Sequence, residues 1–374
     1  MRRTSFLTLG LALCLAAAVS LGVRARTPAL PAADLPTGAA HLVSAGPLAF
    51  GPDGVLFVGD SLGGAIVALD TGDRTASPSA VKIDVQGIDQ KVAALVGVTP
   101  DQIVINDVAV NPLSKNAYVS ASRGRGPDAM PLLLRVDGSG KITLLSLDNV
   151  GHATVSLADA PAAAAAANAR QDPRTLTITD MAFVNGNLMV AGMSNEEWSS
   201  ALRSIPYPFK NAAKGTQLQI WHSSHGRYET ASPVRTFVPY TMGGQQYVLA
   251  AYTCTPLVKI PMSQLRPGAQ VKGVTIADLG SGNQPLDMVP YKKDGHDYIL
   301  IANTSFGVVK LNADNLGAYE QIDSPTTVAD KAGAPYVKIA ALSNVRHLTQ
   351  VDDANALMLT GTPGSVNLQT IALP

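Results

Sequence analysis

Cysteine, charge and aromatic rings are all scarce in this chain of 374 residues: 2 cysteines, 15% charged residues and 5% aromatics. Lys+Arg and Asp+Glu each number 28, so the formal net charge is zero. Without a clustered basic surface the chain lacks the electrostatic footprint of a nucleic-acid binder. Cys14 lies inside an N-terminal apolar stretch of the kind removed on export, which leaves Cys254 alone in the mature chain. No internal disulfide is then possible. A Gly-x-Ser-x-Gly nucleophile elbow is absent, and neither Gly-Gly pair (63–64, 243–244) leads into the Lys-Ser/Thr of a phosphate loop. What the chain has instead is 33 Gly, 25 Pro and a 46% apolar share, a composition for many short strands joined by tight turns.

The N-terminus reads as an export signal over residues 1–25. Arg2 and Arg3 form its charged end, Phe6 to Val19 its apolar core, and Ala18-Val19-Ser20 or Val23-Arg24-Ala25 its cleavage site. The apolar run is shorter than the roughly 20 residues a membrane span needs. Leu13 before Cys14 stands where a lipoprotein signal wants a small residue, so the expected product is a secreted or periplasmic protein with no membrane span. An Ala/Pro-rich leader follows over 26–40, and residues 41–374 form the expected folded domain.

Within that domain a three-strand grammar recurs. It is plainest at 285–311, where Leu286–Tyr291, Asp297–Ala302 and Gly307–Leu311 alternate with short polar turns. First strands of the same kind begin near residues 47, 107, 180, 235 and 346, and nearly all-apolar second strands follow each of them. Apolarity along the whole second strand means that both faces are covered, as between neighbouring blades. The prediction is an all-β fold, a β-propeller of six four-stranded blades with seven as the alternative. Fourth strands are expected at VKIDV, KITLLSL, GRYET, VKGVTIADL and AYEQI. The last repeat has none, so an N-terminal strand, His41 to Ser44, is expected to complete it and close the ring. Three insertions interrupt the rhythm. Helical spacing runs through Val92, Leu95 and Val96 in 87–104, a poly-Ala run fills 158–172, and 195–215 opens like a helix with Asn195 as its cap.

Topology puts the starts of the first strands and the loops after the second strands on one face, around the channel. Aligned starts give Pro47, Asp107, Asp180, Arg235, Asp287 and Arg346. Such charges fit a cation or polar-ligand site, and equally a structural Asp–Arg network. Nearby loops add Asp60, Arg123, Arg125, Trp198, Cys254 and Asn303. Cys254 fits a metal ligand or nucleophile, or a small buried apolar residue. The insertion with Trp198, Tyr207 and Phe209 fits a lid or partner contact, or a loop packing its own rings. His222 and His225, in His-Ser-Ser-His, are expected on the opposite side in a surface turn.

The blade wording Ala49-Phe50-Gly51-Pro52-Asp53-Gly54-Val55-Leu56-Phe57-Val58 resembles NHL-type repeats and the gluconolactonase-like, senescence-marker group of propellers. Asn106-Asp107-Val108-Ala109-Val110-Asn111-Pro112 is similar to the Asn-Asp motif of that group. The resemblance implies a divalent cation, calcium, held by Asn106 and Asp287. This chain departs from the group at Ala45-Gly46-Pro47, where those enzymes open with a metal-binding Glu. Two functions follow. One is a ligand- or protein-binding scaffold that uses the channel face, for a small molecule or an extracytoplasmic protein. The other is a metal-dependent, lactonase-like hydrolase working from Asn106, Asp107, Asp180 and Asp287.

Overall fold

The computed structural model describes residues 35–374, except 78–80, 164–171, 213, 255, 281 and 327–331. The expected export signal over 1–25 and most of the poly-Ala run lie outside the described residues. Apart from one α-helix, Ile88–Val96, and short 3₁₀ turns, the regular structure of the described residues is strand, in six sheets that are antiparallel except where Gln270–Lys272 run parallel to Thr216–His222. The fold is a six-bladed β-propeller.

Taken by their inner three strands in chain order, blade 1 is Leu48–Phe50, Val55–Asp60 and Ala65–Asp70, and blade 2 is Ile103–Val110, Ala117–Arg123 and Met130–Val136. Blade 3 is Asp180–Val184, Asn187–Met193 and Ser200–Pro206, and blade 4 is Val234–Met242, Gln245–Tyr252 and Pro256–Pro261. Blade 5 is Pro285–Lys293, His296–Asn303 and Gly307–Asn312, and blade 6 is Val345–Gln350, Asn355–Thr362 and Ser365–Ala372. Each gap between blades is filled by an apolar cluster with members from both sides. Blade 1 packs on blade 3 through Phe57 and Met181, and blade 3 on blade 4 through Leu218 and Val248. Blades 4 and 5 meet at Leu249 and Ile299, 5 and 6 at Val289 and Leu348, 6 and 2 at Leu359 and Val119, and 2 and 1 at Tyr118 and Leu56. The second strands carry most of these residues and are buried almost throughout, as expected for a strand covered on both faces.

The order around the ring is therefore 1–3–4–5–6–2, with blade 2 seated between blades 6 and 1. Closure works by strand exchange. After blade 1 the chain crosses to blade 6, where Asp84–Val85 pair with Leu368 and Gln369 as its outer strand. The helix Ile88–Val96 then packs Val92 into the gap between blades 6 and 2. After blade 2, Val150–Ser156 return to complete blade 1 against Ala65–Asp70, and Thr37–Gly38 add a fifth strand outside them. Completion of the last blade by a strand from the N-terminal part of the chain holds, but its residues are 84–85 instead of 41–44. Val43, Ser44 and Gly63 instead donate backbone N–H groups to the buried Asp60 carboxylate, pinning the entry segment to blade 1. VKIDV is thus the outer strand of blade 6 and not of blade 1.

Two further expectations change. The 195–215 insertion is no helix: Ser200–Pro206 pair with Asn187–Met193 over its full length, so Thr216–His222 become the fourth strand of blade 3 and Arg227–Glu229 the fifth. Arg203 faces inward there, wholly buried, with Nε on Asp159 Oδ1 at 2.8 Å and its other nitrogens on the carbonyls of Thr177 and Met193. That buried pairing outweighs the helix-start signals at Asn195. AYEQI is likewise not the outer strand of blade 5; Tyr336–Ile339 take that place.

Candidate functional site at the channel mouth

The six innermost strands enclose a lumen of about 220 Å³, touched by every blade. Its upper ring follows from a recurrent irregularity. Four of the six first strands carry one extra residue near their start, skipping Asn106, Arg235, Leu286 and Arg346 in the pairing register. Such a bulge moves every later side chain by one position. The residue equivalent to Asp107, Asp180 and Asp287 is consequently Thr236 in blade 4 and His347 in blade 6. Arg235 and Arg346 sit one layer higher, beside Asn106 and Leu286. The alignment by hydrophobic pattern placed both arginines in the acid ring because an extra residue leaves no mark on that pattern. His347 was missed for the same reason.

In the lower layer the three aspartates alternate around the ring and each bridges to the next blade. Asp107 Oδ2 accepts from Leu48 N of blade 1 at 2.7 Å, Asp180 Oδ2 from Phe237 N of blade 4 at 2.8 Å, and Asp287 Oδ2 from Leu348 N of blade 6 at 2.8 Å. Asp107 and Asp180 also accept from the N–H of the residue that follows them. His347 Nδ1 stands 3.3 Å from Asp287 and 3.5 Å from Asp107, long for a hydrogen bond but close for charge attraction. Asp107, Asp287 and His347 are 14–22% exposed, the two carboxylates to the lumen and His347 to the hollow that Arg346 lines. Burial raises Asp107 to about 7, with His347 opposing and Asp287 adding to the rise. Burial raises Asp180 to about 8, opposed by the Phe237 N–H and reinforced by the charges of Asp287 and Asp107. Burial pulls His347 down, but the two carboxylates outweigh it and leave its pKa above the ordinary value.

The upper layer is cationic. Arg235 lines a hollow of about 420 Å³ with Asn106 and Pro47, and Arg346 one of about 380 Å³ with Leu286 and Thr304. Gln284 joins them, its amide oxygen oriented by the hydrogen-bond network to accept from Arg235 Nη2 at 2.6 Å and Nε at 3.1 Å. The Gln284 backbone is in turn paired with Thr304. Among the described residues neither arginine meets a carboxylate, and burial draws the pKa of Arg235 below its usual range.

The other expected residues are placed elsewhere. Asn303 is buried and accepts from Asn283 Nδ2, holding the loop that precedes blade 5. Trp198 lies in the turn ahead of Ser200, its backbone N–H on Gln217. Tyr207 and Phe209 pack on Phe57 at the far end of blade 3, away from the mouth. Arg125 reaches the Asp101 carbonyl, and Arg123 is exposed at the end of its strand. Cys254 is at the mouth face but outside the ring, beside His222 and His225. Those histidines are not in an outer turn on the opposite side: Thr216–His222 run as a fourth strand, which reverses the face on which they end.

The calcium ion implied by the resemblance fits these residues poorly. Calcium takes 6–8 oxygen ligands. Here the Asp107 oxygens already accept backbone N–H groups, as does an oxygen of Asp287, and the third converging group is an imidazole nitrogen. No known domain family matches the sequence, and no curated protein does. Solved structures match in shape. One is a glucose dehydrogenase at 11% identity, covering 91% of this chain and 99% of that one, with a TM-score of 0.36. Another is the PQQ-bound form of an aldose sugar dehydrogenase from Streptomyces coelicolor, at 12% identity, 92% and 100% coverage and a TM-score of 0.32. A thermostable family-43 glycoside hydrolase matches at 12% identity, 73% and 90% coverage and 0.40. At identities and TM-scores this low the likeness bears on no chemistry.

Proposed function

We propose that this protein is an exported ligand-binding propeller that takes a small anionic molecule, a carboxylate or a phosphate, at the channel mouth. The observation that carries the reading is the pair of guanidiniums, Arg235 and Arg346, without a carboxylate partner among the described residues. A guanidinium keeps its charge, and a half-buried one is costly until an anion meets it. The layer beneath offsets them only in part. Burial raises Asp180 to about 8 and Asp107 to about 7, which favours the neutral forms of both and weakens the negative field that reaches the arginines. Arg235, Gln284, Thr304 and Arg346 form a polar arc from one hollow to the other, suited to hold an anion by charge-assisted hydrogen bonds.

Calorimetric titration with succinate and inorganic phosphate tests this. Removing one charge-assisted contact costs roughly 1.5–3 kcal/mol, so Arg235→Met is expected to weaken binding by about 10- to 100-fold. Binding of neither anion, or equal binding by the wild type, Arg235→Met and Arg346→Met, would refute it. One observation favours the hydrolase alternative and with it the gluconolactonase-like group: Asp107, Asp287 and His347 bring ligand or base atoms within 4.8 Å of one another. Lactone hydrolysis lost in His347→Asn would move the reading there.

A further inference from the structure

Away from the channel, the same face carries a second group of side chains at the junction of blades 3 and 4. His222 ends the fourth strand of blade 3, His225 follows in a 3₁₀ turn, and Cys254 sits in the turn between the second and third strands of blade 4. One ligand atom from each lies within 4.8 Å of the others. The turn holds Cys254 at a left-handed φ of 60°, tied by its N–H to the Asn283 carbonyl. That conformation is uncommon for a residue with a Cβ and is kept only where its surroundings impose it.

Three features separate this group from a chance surface cluster. First, both imidazoles are oriented by one carboxylate: His222 Nδ1 and His225 Nδ1 each lie 2.7 Å from Glu229, one on each oxygen. Ser232 and Arg227 in turn hold Glu229. A histidine that gives its Nδ1–H to a carboxylate has its Nε2 lone pair free, the usual outer arrangement around a metal-bound histidine. Second, His222 is 1% exposed, and its Nε2 has no hydrogen-bond partner. A buried polar atom of this kind costs about 1–3 kcal/mol unless something meets it. Third, the rings lie side by side, with centroids 3.8 Å apart at 34°, so the two imidazoles can serve one point. Close by, the buried Asp278 keeps one carboxylate oxygen without a partner.

We propose that His222, His225 and Cys254 bind one zinc ion, with Glu229 orienting both imidazoles and a fourth position left for water or an exogenous ligand. Two imidazoles and a thiolate suit zinc, which is tetrahedral with N and S ligands, better than an oxygen-seeking ion such as calcium or magnesium. Three protein ligands with an open position is the arrangement found at zinc sites that exchange ligands. The site is independent of the anion reading, since neither arginine of the mouth belongs to it.

The test uses the full mature chain, stripped with a chelator and titrated with Zn²⁺ and, as a spectroscopic probe, Co²⁺. The expected result is one ion per chain, a thiolate-to-cobalt charge-transfer band, and protection of Cys254 from a maleimide on zinc addition. Cys254→Ser should abolish the band, and Glu229→Gln should weaken zinc binding about 10- to 100-fold while the circular dichroism spectrum of each metal-free variant stays that of the wild type. Absence of stoichiometric binding, or a band unchanged in Cys254→Ser, overturns the proposal. Anion binding at the channel mouth that survives Cys254→Ser would leave that reading standing whichever way the zinc experiment falls.

Discussion

Replacing Asp180 by Asn separates the two things that this carboxyl does. In the folded protein it accepts two backbone N–H groups, from Met181 at 2.7 Å and from Phe237 of the next blade at 2.8 Å, and it keeps its proton up to about pH 8. In the unfolded chain it ionises near its ordinary value of 3.8. Because the folded pKa is the higher one, the folded state holds a proton that the unfolded state has released. Stability is therefore fully present below the unfolded value and is lost as pH rises through the folded one. Between about pH 6 and pH 8 the loss is about 1.4 kcal/mol per pH unit, about 3 kcal/mol in all. The amide of Asp180→Asn retains one acceptor oxygen and turns an NH₂ toward the second N–H. One buried donor goes unmet, at a cost of roughly 1–3 kcal/mol, but nothing at this position titrates. Urea unfolding followed by tryptophan fluorescence should find the variant less stable at pH 6 and equal or more stable at pH 9. Asp107 and His347, also raised, contribute the same slope to both proteins and so cancel in the difference. A stability gap that stays constant from pH 6 to pH 9 would refute the assignment of a neutral, blade-bridging Asp180.

Other perturbations reach different parts of the fold. Arg203→Met strands the buried Asp159 without its cation and should cost about 3–5 kcal/mol, part of which Asp159→Asn in the same chain should restore; a loss too small to measure in denaturant would contradict the buried pairing. Val85→Asp places a carboxylate in the gap between blades 6 and 2 and should cost about 2–4 kcal/mol. Its signature in hydrogen exchange is joint loss of protection in Ser365–Ala372 and in Val150–Ser156, because both depend on the strand exchange; fraying confined to 84–85 would speak against that coupling. Gly307 begins the third strand of blade 5 at φ 67°, where an added Cβ would lie 2.7 Å from the Leu342 carbonyl oxygen, so Gly307→Ala should lower stability by about 1–3 kcal/mol in thermal unfolding.

Much of the blade architecture was legible in the chain, since strand period, apolar second strands and turn glycines are local properties that recur. The stretch 285–311 alone announces three strands, and Pro285–Lys293, His296–Asn303 and Gly307–Asn312 occupy nearly those residues. It was equally readable that Asp107, Asp180 and Asp287 line the channel, because topology places the first parts of the first strands around it, although two of those strands begin earlier, at Ile103 and Pro285. What stayed out of reach were matters of partnership. Asp84–Val85 look the same whether they finish blade 1 or blade 6, and only the packing of the helix Ile88–Val96 against blades 6 and 2 decides between them. A bulge adds a residue without altering the hydrophobic pattern, so Arg346 stood in the alignment where His347 stands in the ring. His222 and Cys254 are 32 positions apart on different blades. Nothing in the local sequence records that Ser200–Pro206 form a strand, which turns the end of Thr216–His222 to the face where Cys254 waits. Periodicity and composition are carried by neighbours in the chain; the pairing of edges, the count of strands before a turn, and the meeting of side chains across blades are set by closure of the ring.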